Sequence, residues 1–158
     1  MLAAVVLVGC GEKPTEESEI DVEGATAKAK AHAKAYHDAH KKRVDEAKAK
    51  AETGSPDAMY DLSKLTQKQE SLKWCRKAAE HGHAIAQYDL GRRYVRGDGV
   101  LEDIELAYAW LNISAANGWQ SAKIVKEHFG RKMTPEQISE AEELATEMIE
   151  ENPKLIGG

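Results

Sequence analysis

The side chains best suited to chemistry here are two cysteines, six histidines and 27 carboxylates, and their spacing decides what each can do. On a helical reading His37 and His40 fall one turn apart, with His32 and Asp38 close by. That would set two metal ligands on one face. No third ligand is specified and the segment is polar throughout, so a solvated helix face is the expectation and no metal site is assigned. His81 and His83 flank Gly82, a place for polar helix caps. The chain shows no Ser/His/Asp order, phosphate loop or dinucleotide fingerprint, and no carboxylate in an apolar surround that would raise its pKa. Neither a catalytic residue nor a cofactor is expected.

Cys10 stands apart from Cys75. It follows the uncharged run Leu2-Ala-Ala-Val-Val-Leu-Val8 and Gly9, and polarity rises at once after it with Gly11-Glu-Lys-Pro-Thr-Glu-Glu17. Seven apolar residues are too few to span a bilayer but suit the core of a signal peptide. Leu7-Val8-Gly9-Cys10 resembles the lipobox of bacterial lipoproteins. The resemblance implies that residues 1–9 are a signal peptide and that the Cys10 thiol carries a diacylglyceryl group. The new amine at Cys10 would be acylated after cleavage. No Lys or Arg precedes the apolar run, and either a start codon upstream of Met1 or a truncated chain would account for this. Two or more acyl chains, each adding about 0.8 kcal/mol per buried methylene, would anchor the protein stably. Gly11, rather than an aspartate, after the cysteine implies sorting to the periplasmic face of the outer membrane.

The elements behind these residues are helical. Aromatic residues make up 6% of the chain while alanine abounds, which favours close helix packing over a β-sandwich. The net charge of −5 argues against general nucleic-acid binding. Charge is also segmental. Residues 12–23 carry six acids against one lysine, so residues 10–24 read as an acidic flexible tether. Residues 25–53 are rich in alanine and lysine and predict a helix. Its end at Ala47–Gly54 either closes an incomplete leading hairpin or belongs to a solvated stalk.

Self-similarity organises the rest. Trp74 and Trp110, Gly82 and Gly118, and Ala86 and Ala122 are each 36 residues apart. Tyr60-Asp61-Leu62 recurs as Tyr88-Asp89-Leu90 at a spacing of 28, as Gly54 does at Gly82. The difference lies in one loop, Arg96–Glu102, for which the earlier copy has almost nothing between Leu65 and Lys68. Each copy predicts two helices. In the fuller copy, Ala86, Leu90, Gly91, Tyr94 and Val95 form the stripe of helix A, and Asp103 caps helix B. Helix B turns Ile104, Ala107, Trp110, Leu111, Ser114 and Ala115 to one side. Gly91, Ala107 and Ala115 would allow close approach. Ala122, Val125, Lys126 and Phe129 begin a partial third copy. Thr134-Pro135-Glu136-Gln137 then opens a capping helix with Ile138, Ala141, Leu144, Ala145, Met148 and Ile149 inward.

The pattern Ala86-Gln-Tyr-Asp-Leu-Gly91, Tyr94, Gly97-Asp-Gly-Val100, Asp103, Ala107-Tyr-Ala-Trp110, Ala115-Ala-Asn-Gly118 resembles the Sel-1-like repeat, a relative of the tetratricopeptide repeat. The resemblance implies an all-α chain. Its folded part would be a short α-solenoid of Sel-1-like hairpins over residues 54–151, flanked by an amino-terminal Ala/Lys-rich helix, a carboxy-terminal capping helix and a tail at 152–158. It further implies a concave face that binds proteins or cell-wall fragments. The expected function is therefore a lipid-anchored envelope scaffold for a protein or peptide partner, with Tyr88, Arg92 and Trp119 as candidate contacts. A peptidoglycan-binding or cell-wall-acting accessory enzyme, or a periplasmic immunity or inhibitor protein, are the competing readings. Cys75 aligns with Leu111 and is expected to be an inert core thiol.

Overall fold

The computed structural model describes residues 22–157. Cys10, the signal segment 1–9 and the tether up to residue 21 lie outside them. The chain divides into two units, with the boundary between Tyr36 and His37. Helix α1 runs Val22–Glu52, starting slightly earlier than the alanine-rich run suggests. Its residues 26–39 are exposed, as expected for a stretch whose apolar positions are mostly alanine. Within the second unit the same helix changes character. Val44, Ala47 and Ala51, spaced at three and four residues, join the core with Ala58, Met59 and Leu62. The end of α1 thus packs as the second helix of a leading hairpin would.

The remaining elements of the second unit are α2 (Pro56–Leu65), α3 (Lys68–Glu80), α4 (Ala84–Arg96), α5 (Ile104–Ala116), α6 (Gln120–Gly130), α7 (Pro135–Glu151) and a 3-10 turn, Pro153–Leu155. No strand occurs among the described residues. α2 packs on α3 and α4 on α5, and α3 joins the two hairpins by packing on α4. The shortened first loop leaves its mark at Lys68, whose φ of +49° is a left-handed value that a β-carbon resists.

The helix ends explain why the repeat is so regular. Gly82 and Gly118 both have φ +85°. Around Gly82, the His83 amide donates to Ala78 O at 3.0 Å and the Gly82 amide to Ala79 O at 3.1 Å. Around Gly118, the Trp119 and Gly118 amides repeat the pattern on Ser114 and Ala115. This paired closure satisfies the last carbonyls and requires a residue tolerant of positive φ. The N-termini are capped by Ser55, His83, Asp103 and Thr134, the last in a full capping box with Gln137.

Close approach is visible where α4 meets α5. A β-carbon on Gly91 would lie 3.0 Å from the Ala107 carbonyl oxygen and 3.1 Å from Leu111 Cγ. Trp74 and Trp110 fill matching core positions, each 6% exposed. α5 is buried over more of its circumference than its expected stripe, with Tyr108, Ala109 and Ile113 also buried. The reason is that α4, α6 and α7 all pack on it. The third copy is therefore not a standard hairpin: α6 and α7 pack chiefly on α5, not on one another.

The segment after α7 is a strap rather than a loose tail. Asn152 donates from Nδ2 to Glu80 O at 2.9 Å, and Leu155 is only 2% exposed. The Leu155 carbonyl accepts from Gln87 Nε2 at 2.7 Å and from Asn117 Nδ2 at 2.6 Å. Gln87 Nε2 also donates to Ala79 O, and Asn117 Nδ2 to Gln87 Oε1. The Gly157 amide returns to Asn117 Oδ1 at 3.1 Å. Gln87 is fully buried, and this network lets it be so without an unmet polar group.

A candidate partner-binding groove

Burying Ala86, Gln87, Leu90 and Gly91 against its neighbours leaves α4 a second face, carrying Tyr88, Arg92, Val95 and Arg96. On α6, Ala122 is the residue buried, which leaves Ile124, Val125, His128 and Phe129 facing α4. These eight residues line an open groove of about 480 Å³, within the range of ligand-sized clefts. Ile124 is 68% exposed there and adjoins Val95, Val125 and Phe129, so the exposed apolar surface is a patch rather than a single side chain.

Of the sequence-predicted contacts, Tyr88 and Arg92 line the groove directly, with the Arg92 guanidinium 5.5 Å from the centre of the Tyr88 ring. Trp119 stands behind them. It occupies the N-cap position of α6, where its repeat counterpart His83 caps α4, but it makes no side-chain cap. Its ring centre lies 6.5 Å from that of Tyr88, and its Nε1 is buried without a hydrogen-bond partner. Trp119 therefore supports Tyr88 instead of lining the groove. Cys10, the lipidation candidate, lies outside the described residues. Sequence reasoning missed Ile124, His128 and Arg96, and placed Val95, Val125 and Phe129 in the core. Ile124 had a signal: it falls out of phase with the Ala122, Val125, Phe129 stripe.

Electrostatics divide α4 sharply. The Asp89 carboxylate is engaged from the preceding hairpin, accepting from Tyr60 Oη and Lys64 Nζ, both at 2.9 Å. Arg93 donates to Ser71 Oγ at 3.1 Å. No ion pair among the described residues holds Arg92 or Arg96. These two also border a second, polar hollow of about 310 Å³, completed by Asp89, Arg93 and Asp98.

At the other end of α4, His83 accepts from the Ala86 amide through Nδ1 at 3.0 Å and stacks on Tyr60 at 4.4 Å. Its Nε2 lies 3.4 Å from Asp57 Oδ1. Burial pushes its pKa below the ordinary histidine value, against the opposing pull of Asp57. Burial likewise pushes the Cys75 thiol up to about 11, so the thiolate is scarce at neutral pH and the inert reading holds. Among the described residues no group of three or more His, Cys, Asp or Glu is placed to hold a metal ion.

The matching family model is the Sel1 repeat, at residues 56–83 and 84–119. The two matched stretches coincide with the α2–α3 and α4–α5 hairpins. A solved structure with clear likeness is a protective antigen present in uropathogenic Escherichia coli strains displaying an SLR fold. It is 30% identical, with a TM-score of 0.65 over 73% of this chain. The chain spans 27% of that protein's length. No curated protein matches the chain. Sel1 repeats are generally protein-interaction scaffolds and typically non-catalytic. The second matched stretch supplies the α4 wall of the groove, while α6, beyond the matched residues, supplies the other.

Proposed function

We propose that this protein is a lipid-anchored scaffold of the bacterial cell envelope that holds a protein or peptide partner in the groove between α4 and α6. The observation that carries the reading is the exposed apolar wall of that groove, Ile124 above all, facing Tyr88 and Arg92 on a Sel1 repeat. A scaffold needs an open, preformed surface of this kind more than a closed pocket. The anchor rests on the Leu7-Val8-Gly9-Cys10 motif and the abrupt change of polarity at Cys10. Among the described residues no helix is long and apolar enough to cross a membrane. With Gly11 after the cysteine, the periplasmic face of the outer membrane is the proposed location.

A photoreactive residue at position 124, introduced into the full chain in cells, should crosslink a discrete partner. The same residue at exposed Glu140 on α7 should not. Equal capture at both positions would remove the groove from the proposal. Cys10→Ser should move the protein from the membrane fraction to the soluble one, and retention in the membrane would remove the anchor.

A further inference from the structure

The groove carries a charge pattern that runs against the net charge of the chain. The protein has a net charge of −5, and α7 presents a run of outward acids. Yet the α4 wall offers Arg92 and Arg96 one turn apart, neither held by an ion pair among the described residues. The nearest carboxylate on the same helix, Asp89, is already engaged by Lys64 and Tyr60. Arg93 is engaged instead by Ser71 of the preceding hairpin. Stacking on Tyr88 holds the Arg92 guanidinium beside the groove.

Below this cationic wall the groove is apolar, with Val95, Ile124, Val125 and Phe129. Asp89 and Asp98 line the polar hollow that both arginines border, whereas no carboxylate is among the residues lining the groove toward α6, so an incoming anion is favoured from the α6 side. Guanidinium groups pair with carboxylates through two parallel hydrogen bonds, a geometry that lysine cannot supply.

We propose that the groove selects an acidic, amphipathic segment of a partner protein: one large apolar side chain against Ile124, Val125 and Phe129, with carboxylates on Arg92 and Arg96. The proposal rests on the reading of this groove as the partner site, and adds the chemistry of the partner.

The test is a selection of random displayed heptapeptides on the full chain, and in parallel on the Arg92→Glu/Arg96→Glu and Ile124→Asp variants, with circular dichroism confirming that both fold. Peptides enriched on the native chain should combine Asp or Glu with Leu, Ile or Phe. As synthetic peptides they should lose roughly tenfold or more in affinity on charge reversal, and weaken as salt rises. Amidating their C-termini identifies the source of the carboxylate: loss of binding assigns it to the chain terminus, retention to side chains, and either supports the proposal.

Enrichment of neutral or basic peptides, or affinity indifferent to charge reversal, overturns it. If such peptides still fail on Ile124→Asp, the groove stands as the partner site and only the acidic assignment falls. If no enriched peptide depends on Ile124, both readings fall together.

Discussion

Replacing Gly82 and Gly118 by alanine makes a matched comparison, because both glycines have φ +85° and close equivalent helices in successive repeats. A β-carbon at Gly118 meets nothing within 4 Å. Gly118→Ala should therefore show the left-handed penalty alone, about 1 kcal/mol. At Gly82 the β-carbon would lie 2.6 Å from the Lys154 carbonyl oxygen and 3.1 Å from the Gly157 backbone. Both are backbone atoms of the strap, so the strap must lift. Lifting exposes Leu155, a side chain whose burial is worth about 1.5–3 kcal/mol. It also breaks the two amide donations to the Leu155 carbonyl, each worth about 1 kcal/mol net. Gly82→Ala should thus cost about 3.5–5 kcal/mol more than Gly118→Ala. Urea unfolding of the full chain, followed by circular dichroism at constant m-value, measures the difference. Adding Leu155→Ala should cost much less in the Gly82→Ala background than in the native one, since both act through the same contact. Equal costs for the two alanine variants, or full additivity with Leu155→Ala, would refute the seating of the strap on the repeat junction.

Two further outcomes are expected. Because His83 is buried and caps α4 through an unprotonated Nδ1, its folded pKa lies below its unfolded one. Between those values the unfolded chain binds the extra proton, so stability should fall as pH drops below the ordinary histidine value of about 6.5. His83→Ser, which keeps a cap of the kind Ser55 gives α2, should flatten that slope in urea titrations at several pH values; an unchanged slope would exclude His83 as its source. Lys68→Gly should relieve the positive φ at the start of α3 and raise stability by up to about 1 kcal/mol. A lower melting temperature for that variant would show that the short α2–α3 loop stores no strain there.

Features that depend on neighbours a few residues apart were legible in the residues alone. The glycine closures at Gly82 and Gly118, the Asp103 cap and the Thr134–Gln137 capping box are all local hydrogen-bond patterns, so residue type and spacing name them directly. The spacings of 36 and 28 residues likewise located both hairpins, because a repeated stripe must meet a repeated partner.

Features that rest on contacts between distant residues emerge only from the packed fold. Gln87 and Asn117 meet the Leu155 carbonyl across separations of 68 and 38 positions, and no periodicity encodes that meeting. α6 and α7 both settle on α5, which buries Tyr108 and Ile113 beyond the expected stripe. The groove depends on the same kind of contact. No ion pair among the described residues holds Arg92 or Arg96, and Asp89, the acid on their own helix, is engaged by Lys64 from the preceding hairpin. Val125 and Phe129 have core periodicity but line an open wall, since no other element among the described residues covers the groove between α4 and α6. Periodicity specifies which face of a helix is apolar. Whether another element covers that face is settled only when the chain has folded.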